Sequence, residues 1–519
     1  MRSSILPTTL FIIGFMAVSA QATLADSAPG QAVACSDLTA LNLAQTTIAL
    51  AETVPAGAFE QPPDGFSPFA ADYSRLPAFC RVAGSIKPSA DSDIRFELWL
   101  PATHWNGKFL QTGNGGAAGS VFYFGMAEPL TRGYAVANTD TGHRGGGGDF
   151  GWVPGHPEQL IDFQWRAVHE LTRVGKTITT AHYGRAPAKS YFNGCSTGGR
   201  QGLLEAQRFP DDYDAIIAGA PANNWVLLLS LSAMIEGSLG PGKLPVEQLG
   251  MLKEAAIAAC DTKDGLQDRI IDEPEKCDFD PGSLQCKDGQ TTNCLSGQAV
   301  AAARRIYAGL VSKDGEVLFP GTGPASEPTW VAYTMPGFRI GSNYYRNVVM
   351  NDPAWDPATF DVDRDLPRAE QADAGATSAM DPDLSSFIAR GGKLILYHGT
   401  TDGLIPYRNT VNYYRSVVAR MGADKLKGSI RFYLVPGMDH CAGGEGAWAI
   451  DYLTPLESWV EQGEAPAALP GAHPLLPFGQ ANAPPGQAFT RPVCPYPQIP
   501  AYQGSGDTAD AANFECVSP

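Results

Sequence analysis

Between about Ile94 and Ala218, short apolar runs alternate with stretches of helical spacing. Phe96 to Leu100, Lys108 to Leu110, Gly133 to Asn138 and Tyr191 to Asn193 read as strands. Such alternation predicts a parallel sheet with helices on both faces. From about Asn223 to Asp383 the pattern dissolves into four cysteines, scattered aromatics and many glycines and prolines. It resumes at Leu384 with a helix, the apolar strand Lys393 to Gly399, the helix Asn409 to Arg420 and the strand Arg431 to Val435. The middle block therefore reads as a lid inserted into one sheet, dividing the chain into a first core segment (23–222), a lid (223–383) and a second core segment (384–519). A Pro- and Gly-rich stretch from about Ala465 to Gly486 predicts an irregular surface crossing.

The first residues change the picture of where the chain works. Arg2, an apolar run from Ile5 to Ala20 and the small-residue site Ala20-Gln21-Ala22 predict a secretory signal peptide over residues 1–22, cleaved to leave Thr23 first. No other segment is long and apolar enough to span a bilayer. Export to the periplasm or the exterior permits disulfides, and the ten cysteines form an even set. Spacing favours Cys260 with Cys277, Cys286 with Cys294, and Cys494 with Cys516; Cys35 and Cys80 then make an N-terminal pair, leaving Cys195 for Cys441. Spacing alone does not fix this connectivity. No C-x-x-C pair suggests a zinc site. A net charge of −17 argues against nucleic acid and anionic membranes as partners.

Candidate chemistry begins at Gly194-Cys195-Ser196-Thr197-Gly198. G-x-S-x-G places a serine on a sharp strand-to-helix turn with its hydroxyl exposed. The flanks suit it, because Lys189 to Phe192 can be a strand and Arg200 to Phe209 a helix that Pro210 stops. An α/β-hydrolase takes its acid and histidine, in that order, from loops after later strands. Asp402 follows the strand ending at Gly399, and His440 follows Pro436-Gly437 beyond the strand ending at Val435. Asp439 adjoins His440 too closely in sequence to accept its Nδ1 proton easily, so Asp402 is the expected acid. His398 and His169 read as structural histidines. The expected chemistry is acyl transfer: Ser196 as nucleophile, His440 as base and acid, Asp402 as orienting carboxylate. The Gly-rich loop Gly113-Asn114-Gly115-Gly116 and the N–H of Thr197 are candidates for an oxyanion hole.

These features, with Trp105-Asn106-Gly107, Thr139-Asp140-Thr141-Gly142-His143, Leu434-Val435-Pro436-Gly437-Met438 and Cys494-Pro495-Tyr496-Pro497, make the chain resemble the tannase and feruloyl esterase family over essentially its whole mature length. The resemblance implies an α/β-hydrolase fold with a large disulfide-rich lid. It also implies a Cys195–Cys441 bridge that draws Ser196 and His440 together, and points to Gly116 as the second oxyanion donor. A disulfide holds its Cα atoms about 4.4–6.8 Å apart, and closing so long a loop is worth about 4–5 kcal/mol.

The resemblance further implies a structural calcium ion in the lid, on the carboxylates of Asp261, Asp264 and Asp268 and the carbonyls of Leu266 and Ile270. Arg269 stands there where the family commonly has glycine. Three carboxylates in eight residues around Gly265 suit a hard cation, although the spacing is not that of an EF-hand. No organic cofactor is implied.

Family members cleave hydroxycinnamoyl or galloyl esters, and one cleaves mono(2-hydroxyethyl) terephthalate. Arg339 aligns with the carboxylate-binding arginine of that member, whereas Thr197 and Ile405 stand where it has Glu and Phe. The expected partner is thus a small aromatic ester, feruloyl esters first, with Arg339, Ile405 and Trp330 as candidate substrate contacts.

Overall fold

The computed structural model describes residues 32–63, 65, 71–240, 242–475 and 487–519. The expected signal peptide, at residues 1–22, lies outside them. Nine strands form the principal sheet: β1 (Thr46–Val54), β2 (Phe79–Ile86), β3 (Ile94–Pro101), β4 (Lys108–Thr112), β5 (Ala135–Thr139), β6 (Lys189–Cys195), β7 (Ala215–Gly219), β8 (Lys393–Gly399) and β9 (Ile430–Val435). Their spatial order is β1-β2-β3-β5-β4-β6-β7-β8-β9. From β5 to β9 every pair is parallel, while β1, β2, β3 and β5 pair antiparallel. The expectation of a wholly parallel sheet from Ile94 onward is corrected at β3, which runs antiparallel to β5: the short link 102–107 from β3 to β4 has no room for a helical crossover, so the chain reverses there, and β4 is parallel to β5.

The central strands bury both faces, as at Ala215–Gly219, where all five residues are buried. Helices on the two faces account for this. They include α1 (Ala167–Tyr183), α2 (Thr197–Arg208) and α4 (Tyr407–Met421). On one face Phe192, Leu203, Ile216, Leu396, Val411 and Phe432 belong to one apolar cluster. On the other, Tyr191, Ile217, Ile395, Tyr433, Leu456 and Trp459 belong to a second.

Between β7 and β8 the described residues add no strand to this sheet. It begins with α3 (Trp225–Ser238), buried around most of its circumference, and continues through helices and short 3-10 turns around their own apolar cluster. All ten cysteines are bridged: Cys35–Cys80, Cys195–Cys441, Cys260–Cys277, Cys286–Cys294 and Cys494–Cys516. The stretch expected as an irregular crossing contains a strand, Leu469–Pro474, paired antiparallel with Gln487–Val493. Its prolines are tolerated because Pro470 and Pro492 sit opposite each other in a small three-stranded sheet, where few ladder donors are required. Among the described residues no helix is long and apolar enough to cross a membrane.

Candidate active site

Parallel strands bring their C-terminal ends to one edge, and there the candidate residues meet. β6 ends at Cys195 and α2 begins at Thr197, so Ser196 makes the entire turn, with φ 65° and ψ −124°. This left-handed backbone is costly for a residue with a Cβ. Its N–H donates to the Gly219 carbonyl at 3.0 Å, and Gly198 N–H donates to Asn114 O at 2.7 Å. The flanking glycines are required sterically, since a Cβ on Gly194 would lie 2.6 Å from the Gly198 carbonyl carbon.

Asp402, fully buried, follows β8, and His440 follows β9. His440 Nδ1 lies 2.7 Å from Asp402 Oδ2, while Asp402 Oδ1 accepts the N–H groups of Leu404 and Ile405 at 2.9 Å each. Burial alone would raise the Asp402 carboxyl, but the charge of His440 and hydrogen bonds from His398 and His440 outweigh it and hold the group well below the usual carboxylate range. An ionised Asp402 can accept a hydrogen bond from His440 Nδ1–H, the tautomer that, in a neutral imidazole, puts the lone pair on Nε2. Asp439 is not a competitor: its Oδ1 accepts from the Thr401 hydroxyl at 2.8 Å.

The Cys195–Cys441 bridge, with a Cα–Cα distance of 6.0 Å, ties the residue before Ser196 to the residue after His440. Ser196 and His440 line one cavity of about 600 Å³, whose wall includes Gly116, Phe338 and Leu404. They also line an inner recess of about 30 Å³, bounded by Trp225, Leu228, Tyr333, Ile340 and Ile405. The N–H groups of Gly116 and Thr197 have no hydrogen-bond partner among the described residues. The Thr197 hydroxyl donates to Gly116 O at 2.6 Å, fixing the two against each other. Gly116 has φ +56°, and a Cβ there would meet Gly147 O at 2.2 Å.

Of the three candidate substrate contacts, Ile405 lines the recess. Trp330 does not: it is fully buried in the lid's apolar cluster, in edge contact with Tyr307 at 5.4 Å. Its size and apolarity, which made it a candidate, are used for packing. Arg339 is exposed and lies outside the cavity lining, although its neighbours Phe338 and Ile340 line it.

Of the lid aromatics that the sequence offers beside Trp330, Phe338 lines both spaces, whereas Tyr344 and Tyr345 are buried in the lid's apolar cluster; sequence reasoning missed Trp225, Leu228, Tyr333 and Leu404. Behind the recess wall Arg200 packs against Trp225. That side chain is fully buried, lies 5.0 Å above the Trp225 ring and donates to Gln164 O at 2.8 Å. Burial pulls its guanidinium down to about 9. His398, expected to be structural, is buried against the acid itself: Nε2 lies 2.9 Å from Ile405 O and 3.2 Å from Asp402 Oδ2, and Nδ1 lies 2.8 Å from the Thr410 hydroxyl.

The acidic loop in the lid gathers four carboxylates. Asp261 Oδ1 accepts the N–H groups of Asp268 and Arg269, and Asp264 Oδ1 accepts that of Leu266. Burial and the neighbouring carboxylates raise Asp264 to about 6. Asp272, absent from the expected ligands, is buried beside Asp264 and Asp268 and is pushed well up by the same causes. Arg491 pairs with Asp268 Oδ2 at 2.7 Å. Several crowded acids with one arginine between them suit a divalent cation bound through oxygen. Arg269 adopts φ 72°, a conformation that glycine would take without strain. Its guanidinium forms a two-point pair with Glu254 at 3.0 and 2.8 Å.

Comparison with known proteins agrees with this architecture. The family model for tannase and feruloyl esterase matches residues 80–517. An uncharacterised esterase of Xanthomonas campestris is 36% identical over 568 residues, covering 99% of this chain and 94% of that protein. The crystal structure of feruloyl esterase B from Aspergillus oryzae superposes with a TM-score of 0.83 at 33% identity, covering 93% of this chain and 99% of that one. Tannin acyl hydrolase from Aspergillus niger gives 0.73 at 25% identity, with 92% of each chain covered. The chain belongs to the tannase and feruloyl esterase family of carboxylic ester hydrolases.

Proposed function

We propose that the protein is an exported serine esterase that hydrolyses esters of small aromatic acids, feruloyl esters foremost, through an acyl-enzyme. One observation carries the reading: Ser196, on a left-handed turn, and His440, hydrogen-bonded to a buried Asp402, line the same cavity. In this mechanism Ser196 Oγ attacks the ester carbonyl while His440 Nε2 takes its proton and returns it to the departing alcohol. Water then enters by the same route and releases the acid. Asp402 stays ionised and stabilises the imidazolium. The N–H groups of Gly116 and Thr197 donate to the oxyanion, each such donor being worth about 10²–10³ in rate.

The acid's ring is proposed to lie against Phe338 and Leu404, which line both spaces. A volume of about 600 Å³ admits a small aromatic ester, whereas the recess alone has room for about one water. The recess lining is apolar but for Thr197, Ser232 and Tyr333 beside the serine and histidine, and the Tyr333 hydroxyl is already committed to Leu404 O at 2.9 Å. Feruloyl esters come first because the chain is more similar to feruloyl esterase B of Aspergillus oryzae, at 33% identity and a TM-score of 0.83, than to tannin acyl hydrolase of Aspergillus niger, at 25% and 0.73. Neither lining contains an arginine or lysine to meet the carboxylate of mono(2-hydroxyethyl) terephthalate. Five disulfides accord with work outside the cytosol. The acidic loop is proposed to hold calcium through Asp261, Asp264, Asp268 and the carbonyls of Leu266 and Ile270, where the ion would neutralise the crowded carboxylates and hold the lid.

The test is kcat/KM of the mature protein on methyl ferulate, methyl gallate and mono(2-hydroxyethyl) terephthalate, with Ser196→Ala as the blank. Ferulate is expected to be preferred. Hydrolysis retained by Ser196→Ala would remove Ser196 as nucleophile, and preference for the terephthalate would bring Arg339 back into the site.

A further inference from the structure

Away from the catalytic edge, three metal-binding side chains converge where α1, α2 and the turn into β7 meet. They are His169 on α1, Glu205 on α2 and Asp212 in the turn, and their ligand atoms all lie within 4.8 Å of one another. His169 Nδ1 is 2.6 Å from Asp212 Oδ2. The imidazole is held in place by stacking on Phe209, with ring centres 3.9 Å apart and planes 16° apart. Glu205 is 2% exposed, and its Oε2 has no hydrogen-bond partner among the described residues.

From this geometry we infer a divalent transition-metal site, formed by His169 Nδ1 and the carboxylates of Glu205 and Asp212, that ties together the helix following Ser196, its neighbour α1 and the turn into β7. A buried carboxylate oxygen without a donor is costly. The nearest ammonium group does not relieve it, because Lys176 Nζ donates to the backbone carbonyl of Asp212 rather than to either carboxylate. One imidazole and two carboxylates suit zinc or manganese, with water completing the shell. The preference differs from that of the all-oxygen acidic loop in the lid. His169 and Asp212 are partly exposed, at 27% and 17% of their side chains, so an ion can enter from solvent. The site stands apart from the cavity lining, and the inference does not depend on the serine mechanism.

The experiment uses the full-length protein stripped with EDTA and reloaded with excess Ca²⁺, so that the lid loop does not compete. Titration with ZnCl₂ by calorimetry is expected to show one zinc equivalent per chain and a rise in Tm. Glu205→Gln and His169→Phe, the latter keeping a ring on Phe209, are each expected to lose that equivalent and the Tm rise while retaining the wild-type circular dichroism spectrum. Binding of neither zinc nor manganese by the wild-type protein would overturn the site and leave Glu205 and Asp212 sharing a proton. A zinc equivalent that persists in both variants would overturn the assignment equally.

Discussion

The sheet and the lid solve the problem of order in different ways. In the sheet, β4, β6, β7 and β8 lie side by side with both faces covered, and a continuous backbone ladder places the ends of neighbouring strands. Between β7 and β8 the longest elements are helices of 12 to 14 residues joined by short 3-10 turns. There the bridges Cys260–Cys277 and Cys286–Cys294, the acidic loop and an aromatic cluster hold the chain. Ser196, Asp402 and His440 all stand on turns leaving the sheet, whereas half of the recess wall comes from the inserted block that begins with α3. On the proposed mechanism, chemistry that demands narrow geometric tolerance would rest on the ladder, and substrate choice on the part whose contacts are easiest to vary.

Damage on the sheet side should abolish turnover. Asp402→Asn keeps an oxygen for the Leu404 and Ile405 N–H groups but turns an amide toward His440 Nδ1, favouring the wrong tautomer. A fall in kcat of about 10⁴ is expected. An unchanged kcat on methyl ferulate would remove Asp402 from the mechanism. The same variant tests stability against pH. A carboxyl depressed below its ordinary 3.8 contributes stability that is present above that value and is lost as pH falls through the acid range. The wild-type Tm should therefore decline below about pH 4 more steeply than the variant's.

Damage on the lid side should instead register as stability. Removing calcium with the selective chelator EGTA is expected to lower Tm by roughly 5 °C, reversed by CaCl₂, with little change in kcat at moderate temperature. Equal Tm with and without calcium would count against the loop as a metal site, and a loss of kcat matching the loss of Tm would place the lid within the catalytic machinery. The smallest effect is expected at Arg269→Gly. Relief of its left-handed backbone and loss of its exposed pair with Glu254 oppose each other, leaving a change within about 1 kcal/mol. A loss well beyond that in denaturant unfolding would show that the Arg269–Glu254 pair matters more than the strain.

The contrast extends to what could be read without coordinates. Strands β4, β5, β6, β8 and β9 and the positions of Ser196, Asp402 and His440 were legible because each rests on local signals: an apolar run, a glycine turn, a residue a few places beyond it. The pairing of β1 with β2 and the reversed direction of β3 were not, because apolar runs do not state which neighbour they join. Trp330 and Arg339 show the same limit in the lid. Both are chemically suited to a substrate, yet one is packed into the cluster and the other faces solvent.

By itself, then, the sequence determined the candidate catalytic residue types, their order and the sharp turn at Ser196, since backbone sterics and strand periodicity act over a few residues. Only the tertiary structure decided that Trp225, Tyr333 and Leu404 wall the recess, that His398 contacts Asp402, and that His169, Glu205 and Asp212 converge. Those contacts join segments far apart in the chain, and their geometry depends on which helix and loop faces pack together, which no local pattern specifies.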